Sequence, residues 1–216
     1  MSEPTNQGPH QGQPILATGT PLDQARAAMV LIHGRGASAE SILTLASELG
    51  HPELAYLAPQ AADNTWYPNS FLTPIAGNQP YLTSALATIT ELLARIAAAG
   101  IPPERTLLLG FSQGACLALE FAARNARRYG GLAGLSGGMI GPDGTPRDYA
   151  GSLGGTPVFL GCSDVDFHIP KARVEASADV LRRLGGAVDM RLYPGMGHTV
   201  NQDEIDAVRG MIERVS

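Results

Sequence analysis

Short apolar runs alternate with longer amphipathic stretches along almost the whole chain, and few architectures can satisfy that alternation. Residues 28–32 (AMVLI), 54–57, 106–111 (TLLLGF), 132–135, 158–160 and 188–193 are too short for helices and end in turn residues, which marks them as strands. Between them, residues 38–49, 82–99, 113–127, 171–184 and 202–214 carry helix-length patterns of Ala, Leu, Ile and Val. In the last of these, Ile205, Val208 and Ile212 recur at spacings of three and four, and Met211 and Val215 extend the same face. Strand followed by helix, repeated, predicts an α/β fold: a mostly parallel central sheet with helices on both faces.

Size and charge narrow the partners. A chain of 216 residues buries roughly 70% of its unfolded surface around one core, so a single domain over residues 14–216 is expected. Residues 1–13, rich in Gly, Pro, Gln and Asn without periodicity, read as a disordered leader. The formal net charge is −5 and no long basic block is present, which speaks against nucleic acid as a partner. Neither a signal peptide nor an apolar run of membrane-spanning length is visible, so no membrane insertion is expected. Cys116 and Cys162 lie inside apolar runs with no disulfide framework, which predicts buried free thiols and a cytoplasmic protein. Residues 61–80 form the one long irregular stretch. Its aromatics, Trp66, Tyr67 and Phe71, serve either a functional loop or a patch over the core.

The sharpest chemical signal is Gly110-Phe111-Ser112-Gln113-Gly114, a G-x-S-x-G stretch set between an apolar strand and a helical pattern. A serine in that turn presents its hydroxyl at the carboxyl end of the sheet, and the helix that follows directs its amides at an oxygen becoming anionic. A serine alcohol needs a base, and the base needs a carboxylate. Of five histidines, His10 lies in the leader, His51 sits in a polar turn, and His33 precedes the serine, the wrong order for this architecture. His198, in the Gly-rich stretch Pro194-Gly195-Met196-Gly197-His198 after the last strand, is the candidate base. The acid belongs in the loop 161–170, where spacing leaves Asp164 and Asp166 both open. The one not used is expected to cap the turn or the helix near Lys171, and His168 to be a structural hydrogen-bonding residue. Two main-chain amides, of Gln113 and of Arg35 in His33-Gly34-Arg35-Gly36, are the candidate oxyanion donors, with the Arg35 side chain a solvated surface charge. The same loop also reads as Gly34-x-Gly36-x-x-Ala39, a permissive dinucleotide fingerprint with Glu53 as ribose partner. That supports a competing reading as a noncatalytic or dinucleotide-binding protein. No P-loop, HExxH, paired CxxC or EF-hand pattern occurs, so no metal and no cofactor are expected.

With HGRG, GFSQGA, the Asp loop ending in HIP, and YPGMGH in that order, the chain from about Ile15 onward resembles the phospholipase/carboxylesterase family of α/β-hydrolases. That family includes acyl-protein thioesterases and small bacterial carboxylesterases. Its members end the acid loop in a D-P-x-[VI]-P-like pattern whose aspartate lies four residues before the last proline. Here that proline is Pro170, so the resemblance selects Asp166, with Phe167 in place of the usual proline and a loop two residues longer. The resemblance also implies an α/β-hydrolase fold without a cap domain, His33 to Gly36 as the oxyanion loop, and Trp66 and Phe71 beside the substrate's acyl pocket. The expected activity is that of a serine carboxylesterase acting through an acyl-enzyme formed on Ser112, with His198 and Asp166 completing the triad. Its partner is a small-molecule ester of short to medium chain, with thioesters and lysophospholipids also open. The sequence does not reveal the oligomeric state.

Overall fold

Strands with both faces covered carry no polar alternation, because neither side meets water. The computed structural model, which describes residues 8–215, shows this directly. Its one sheet has seven strands: β1 (Ile15–Gly19), β2 (Ala27–Ile32), β3 (Leu54–Pro59), β4 (Thr106–Phe111), β5 (Gly131–Leu135), β6 (Pro157–Ser163) and β7 (Ala187–Tyr193). β2 and β3 are buried at all six positions each. The spatial order is β1-β3-β2-β4-β5-β6-β7, with every neighbouring pair parallel except β1 and β3.

Five helices cover the two faces: α1 (Ala39–Leu49), α2 (Tyr81–Ala98), α3 (Gln113–Arg124), α4 (Lys171–Arg183) and α5 (Gln202–Ile212). Alternate residues of β2 feed different cores. Ala28, Val30 and Ile32 pack with residues of α2, α3 and α4, whereas Ala27, Met29 and Leu31 pack with those of α1 and α5. The apolar face predicted for the last helix is the one buried, through Ile205, Val208, Met211 and Ile212. No helix is long and apolar enough to cross a membrane among the described residues.

Two parts of the fold depart from the sequence reading. β1 was not anticipated, because an edge strand paired on one side needs no apolar alternation, and four of its five residues are exposed. The expected leader is partly wrong. Residues 1–7 lie outside the described residues, but His10 is 1% exposed and docked rather than on the surface. Its Nε2 lies 2.9 Å from the Trp66 carbonyl, its Nδ1 accepts from the Ala62 amide at 3.1 Å, and its own amide donates to Ser84 Oγ at 2.9 Å. The loop it supports has no strand ladder to satisfy its backbone, so polar side chains do that instead.

Chain order places the site. β3 lies on one side of β2 and β4 on the other, so the loops after β2 and β4 diverge and leave a crevice at the carboxyl ends of the strands. α3 starts hard against that crevice: a Cβ on Gly114 would lie 2.1 Å from the Ile32 carbonyl oxygen. α5 opens with a capping box in which Asn201 accepts from the Glu204 amide and Glu204 Oε2 accepts from the Asn201 amide. Glu204 itself is fully buried, and its Oε1 has no hydrogen-bond partner among the described residues. Burial pushes its pKa up to about 7 from the usual 4.5. The folded state therefore holds a proton that the unfolded state has released, and stability drains away as pH rises from about 4.5 through 7. Glu204→Gln keeps the cap acceptor and removes this titration. Urea unfolding should show the variant gaining on the parent by on the order of 3 kcal/mol between pH 5 and pH 8. Parallel pH profiles would contradict it.

Candidate active site

Ser112 occupies the turn between β4 and α3 with φ 55° and ψ −120°, a left-handed conformation that a residue with a Cβ adopts only where its surroundings enforce it. Its amide donates to the Leu135 carbonyl at 2.9 Å and its carbonyl accepts from the Cys116 amide at 3.0 Å. The side chain caps no helix. Its Oγ lies 2.9 Å from His198 Nε2, and His198 Nδ1 lies 2.6 Å from Asp166 Oδ2. Asp166 Oδ1 accepts the amides of His168 and Ile169 at 2.8 and 3.1 Å. Burial pushes the Asp166 carboxyl up, but the bonds from His198 and the two amides outweigh it and hold the pKa below the ordinary aspartate value. An ionised Asp166 takes the Nδ1 proton as its partner and leaves the Nε2 lone pair facing the serine hydroxyl.

The competing aspartate has another task. Asp164 does not cap the helix near Lys171, since α4 has Pro170 as its N-cap and no side-chain cap. Instead Asp164 Oδ1 accepts from the Gly195 amide at 2.8 Å, and Ser163 Oγ accepts from the Gly197 amide at 3.2 Å. β6 and β7 are parallel neighbours, so their loops emerge side by side and one ties down the other. His168 is not the hydrogen-bonding residue expected of it. Its ring has no hydrogen bond among the described residues and meets the His198 ring edge-on at 4.8 Å.

The loop after β2 is built on a buried histidine. His33 Nδ1 donates to the Gly34 carbonyl at 2.8 Å and Nε2 accepts from the Ala61 amide at 3.1 Å. Burial pushes its pKa down, against the bond to Gly34, which keeps the ring neutral and this donor–acceptor pattern intact. Arg35 is exposed, as the surface charge expected, but it is also tied down: its guanidinium donates to the carbonyls of Tyr67, Pro68 and Asn69 at 2.7–2.9 Å. Gln113 grips the same segment, accepting from the Trp66 amide at 2.9 Å and donating to the Tyr67 carbonyl at 2.8 Å. The main-chain amides of Arg35 and Gln113 have no hydrogen-bond acceptor among the described residues. Both residues line a cavity of about 470 Å³ together with Ser112 and His198.

The sequence profile of the phospholipase/carboxylesterase family matches residues 14–216. The chain belongs to that family. Acyl-protein thioesterase 1 of Gibberella zeae is 33% identical over 124 residues, 53% of this chain and 50% of that protein. The chain thus spans about half the length of this curated relative. Acyl-protein thioesterase 1 of Yarrowia lipolytica is 24% identical over 222 residues, covering 93% of this chain and 97% of that one. A crystal structure of a phospholipase/carboxylesterase from Dyadobacter fermentans superposes with a TM-score of 0.91 at 43% identity, over 96% of this chain and 100% of that one. The structure of esterase PE8 gives 0.77 at 25% identity, over 94% and 98%. The α/β-hydrolase fold implied by the sequence is therefore the fold this family member has.

The two residues expected beside the acyl pocket separate. Phe71 lines the cavity, but Trp66 does not. Trp66 is fully buried, with its indole N–H donating to the His33 carbonyl at 2.9 Å and its ring between those of His10 and His33 at 5.3 and 5.0 Å. A buried indole needs an acceptor, and the one it found makes it a support beneath the Gly34–Arg35 turn. Its neighbour Tyr67, along with Cys116 and Ile169, faces the cavity instead. The sequence pointed to Tyr67 only through its place in the aromatic loop. The dinucleotide reading loses its acid: Glu53 pairs with Arg26 at 3.3 Å just before β2 and β3 begin, at the opposite end of the strands from Gly34. Among the described residues no group of three or more His, Cys, Asp and Glu side chains is arranged to hold a metal.

The Arg35 clamp predicts a local effect. Arg35→Leu keeps the main-chain amide and deletes three charge-assisted bonds. Amide hydrogen exchange across residues 66–71 should therefore quicken by about tenfold or more while the strands stay protected. Unchanged exchange in that segment would show the guanidinium to be idle.

Proposed function

We propose that the chain is a serine carboxylesterase. Ser112 Oγ attacks the carbonyl carbon of a bound ester as its proton passes to His198 Nε2, and the carbonyl π electrons move onto oxygen. The amides of Arg35 and Gln113 receive that oxyanion, and the buried Asp166 carboxylate stabilises the imidazolium. Collapse expels the alcohol, which takes the proton from Nε2. Water then attacks the acyl-serine with the same histidine as base, and release of the acid restores Ser112. Beyond the ester and one water, these steps need only groups that the chain supplies.

One observation carries the reading: the unbroken line from Asp166 through His198 to Ser112, with contacts of 2.6 and 2.9 Å, opening into a cavity. The two unpartnered amides support it, because preorganised donors aimed at a developing charge are the costliest feature to obtain by accident. The cavity suits a small ester or one of short to medium chain rather than an extended polymer. Thioesters and lysophospholipids share the reacting carbonyl, and the thioesterase names among the relatives keep thioesters within the proposed range. Two buried free thiols, Cys116 and Cys162, fit a reducing cytoplasm as the setting.

Ser112→Ala removes the nucleophile. Its kcat on p-nitrophenyl butyrate should drop by roughly 10⁴-fold to 10⁶-fold with a circular dichroism spectrum like the parent's. A variant as fast as the parent would overturn the mechanism.

A further inference from the structure

The phenol of Tyr67 is a buried donor with no oxygen or nitrogen to donate to. Tyr67 is 1% exposed, lines the cavity over Ser112, and its hydroxyl has no oxygen or nitrogen partner among the described residues. Its near neighbour is the Cys116 thiol, a weak acceptor whose sulfur already receives the Gly138 amide at 3.4 Å. Nor is the ring free to swing toward water, because the Tyr67 carbonyl is held by both Gln113 and Arg35. Buried hydroxyls without partners are rare in folded chains, and one that borders a cavity is placed to be completed by a ligand.

The direction follows from the chemistry proposed above, on which this inference rests. The departing alcohol must lie by His198, which protonates it, and the carbonyl oxygen by the Arg35 and Gln113 amides. The remaining side of the cavity, with Phe71, Tyr67 and Cys116, takes the acyl chain. Cys116 follows Ser112 by one turn of α3, so the phenol beside it sits below the nucleophile rather than at the mouth. Charge decides what kind of chain end fits. Arg35 is the lone Arg or Lys among the described lining residues, and its guanidinium is occupied by three carbonyls. Burial pushes the Tyr67 phenol well above its usual pKa and the Cys116 thiol to about 12, so both stay neutral. An anionic chain end would find both nearby guanidinium groups engaged, Arg35 by three carbonyls and Arg173, 5.9 Å from the Phe71 ring, by Asp143 and the Met139 and Gly141 carbonyls, whereas an uncharged oxygen would receive the phenol's proton in a hydrogen bond.

We propose that Tyr67 is a specificity-determining residue that selects acyl groups bearing an uncharged hydrogen-bond acceptor, such as a keto oxygen, over plain alkyl chains of equal length. A site with a donor to satisfy discriminates against the analogue that lacks the acceptor, because binding that analogue seals the donor away unpaired.

The test compares p-nitrophenyl 4-oxopentanoate, 5-oxohexanoate and 6-oxoheptanoate with pentanoate, hexanoate and heptanoate, each corrected for its rate with hydroxide. The expected result is that at least one oxo ester exceeds its alkyl partner in kcat/KM by about tenfold or more in the parent. Tyr67→Phe, which keeps the ring and its packing, should collapse that ratio to near one, slowing the oxo esters and easing the alkyl ones, which no longer bury an unpaired hydroxyl. Ratios near one for all three pairs in an active parent overturn the Tyr67 proposal and leave the serine mechanism standing. A Tyr67→Phe variant that slows oxo and alkyl esters equally does the same, since it marks a structural role. A parent that hydrolyses none of the six esters overturns the serine reading and this proposal with it.

Discussion

A serine main chain at φ 55° is under strain of order 1–2 kcal/mol, and the rest of the site depends on the fold's ability to hold it there. The enforcement comes from packing. Gly110 and Gly114 let the start of α3 close onto β4 and β2, where a Cβ at either position would lie 2.2 or 2.1 Å from a carbonyl oxygen. The Ser112 amide is taken by Leu135 of the next strand. Relaxing the turn would break that bond and push the helix into β2, so the strained conformation is the one of lowest free energy for the whole. The hydroxyl is thereby fixed in the crevice where the loops after β2 and β4 part.

The remaining parts of the site arrive on loops, and loops lack ladders to hold them. Side chains do the holding here. His33 bridges Gly34 and Ala61, Trp66 supports the His33 carbonyl, and His10 reaches the same loop from outside the sheet. Arg35 and Gln113 grip the segment from Trp66 to Asn69 with their side chains while their main-chain amides stay free for a ligand. Within each of these residues the side chain does the holding and the main-chain amide is left unbonded. The same division separates the two aspartates after β6: Asp166 orients the histidine and Asp164 steadies the loop that carries it.

The elements of regular structure were largely legible because both faces of the sheet are buried. Continuous apolar runs such as TLLLGF can then be only strands, and β4 spans the residues expected. The strand-end placement of Ser112 and His198 was legible because such turns leave a local imprint of glycine. Spacing could not separate Asp164 from Asp166, since both lie in one loop and their difference is a matter of which way each side chain turns. β1 escaped because an exposed edge needs no pattern. His10 and Trp66 were misplaced, and the grip of the Arg35 side chain was missed, for a common reason: each is defined by carbonyls 32 to 56 residues away in sequence, and a main-chain acceptor leaves no residue-type signature.

The central claim is that Ser112 is made nucleophilic by its line to His198 and Asp166. Its most direct test is incubation of the protein with a fluorophosphonate, followed by intact mass and peptide mapping. The account predicts a single phosphonyl adduct on the peptide carrying Ser112, formed far more slowly when His198 is replaced by Ala. No adduct, an adduct on another residue, or labelling of Ser112 that does not depend on His198 would contradict it.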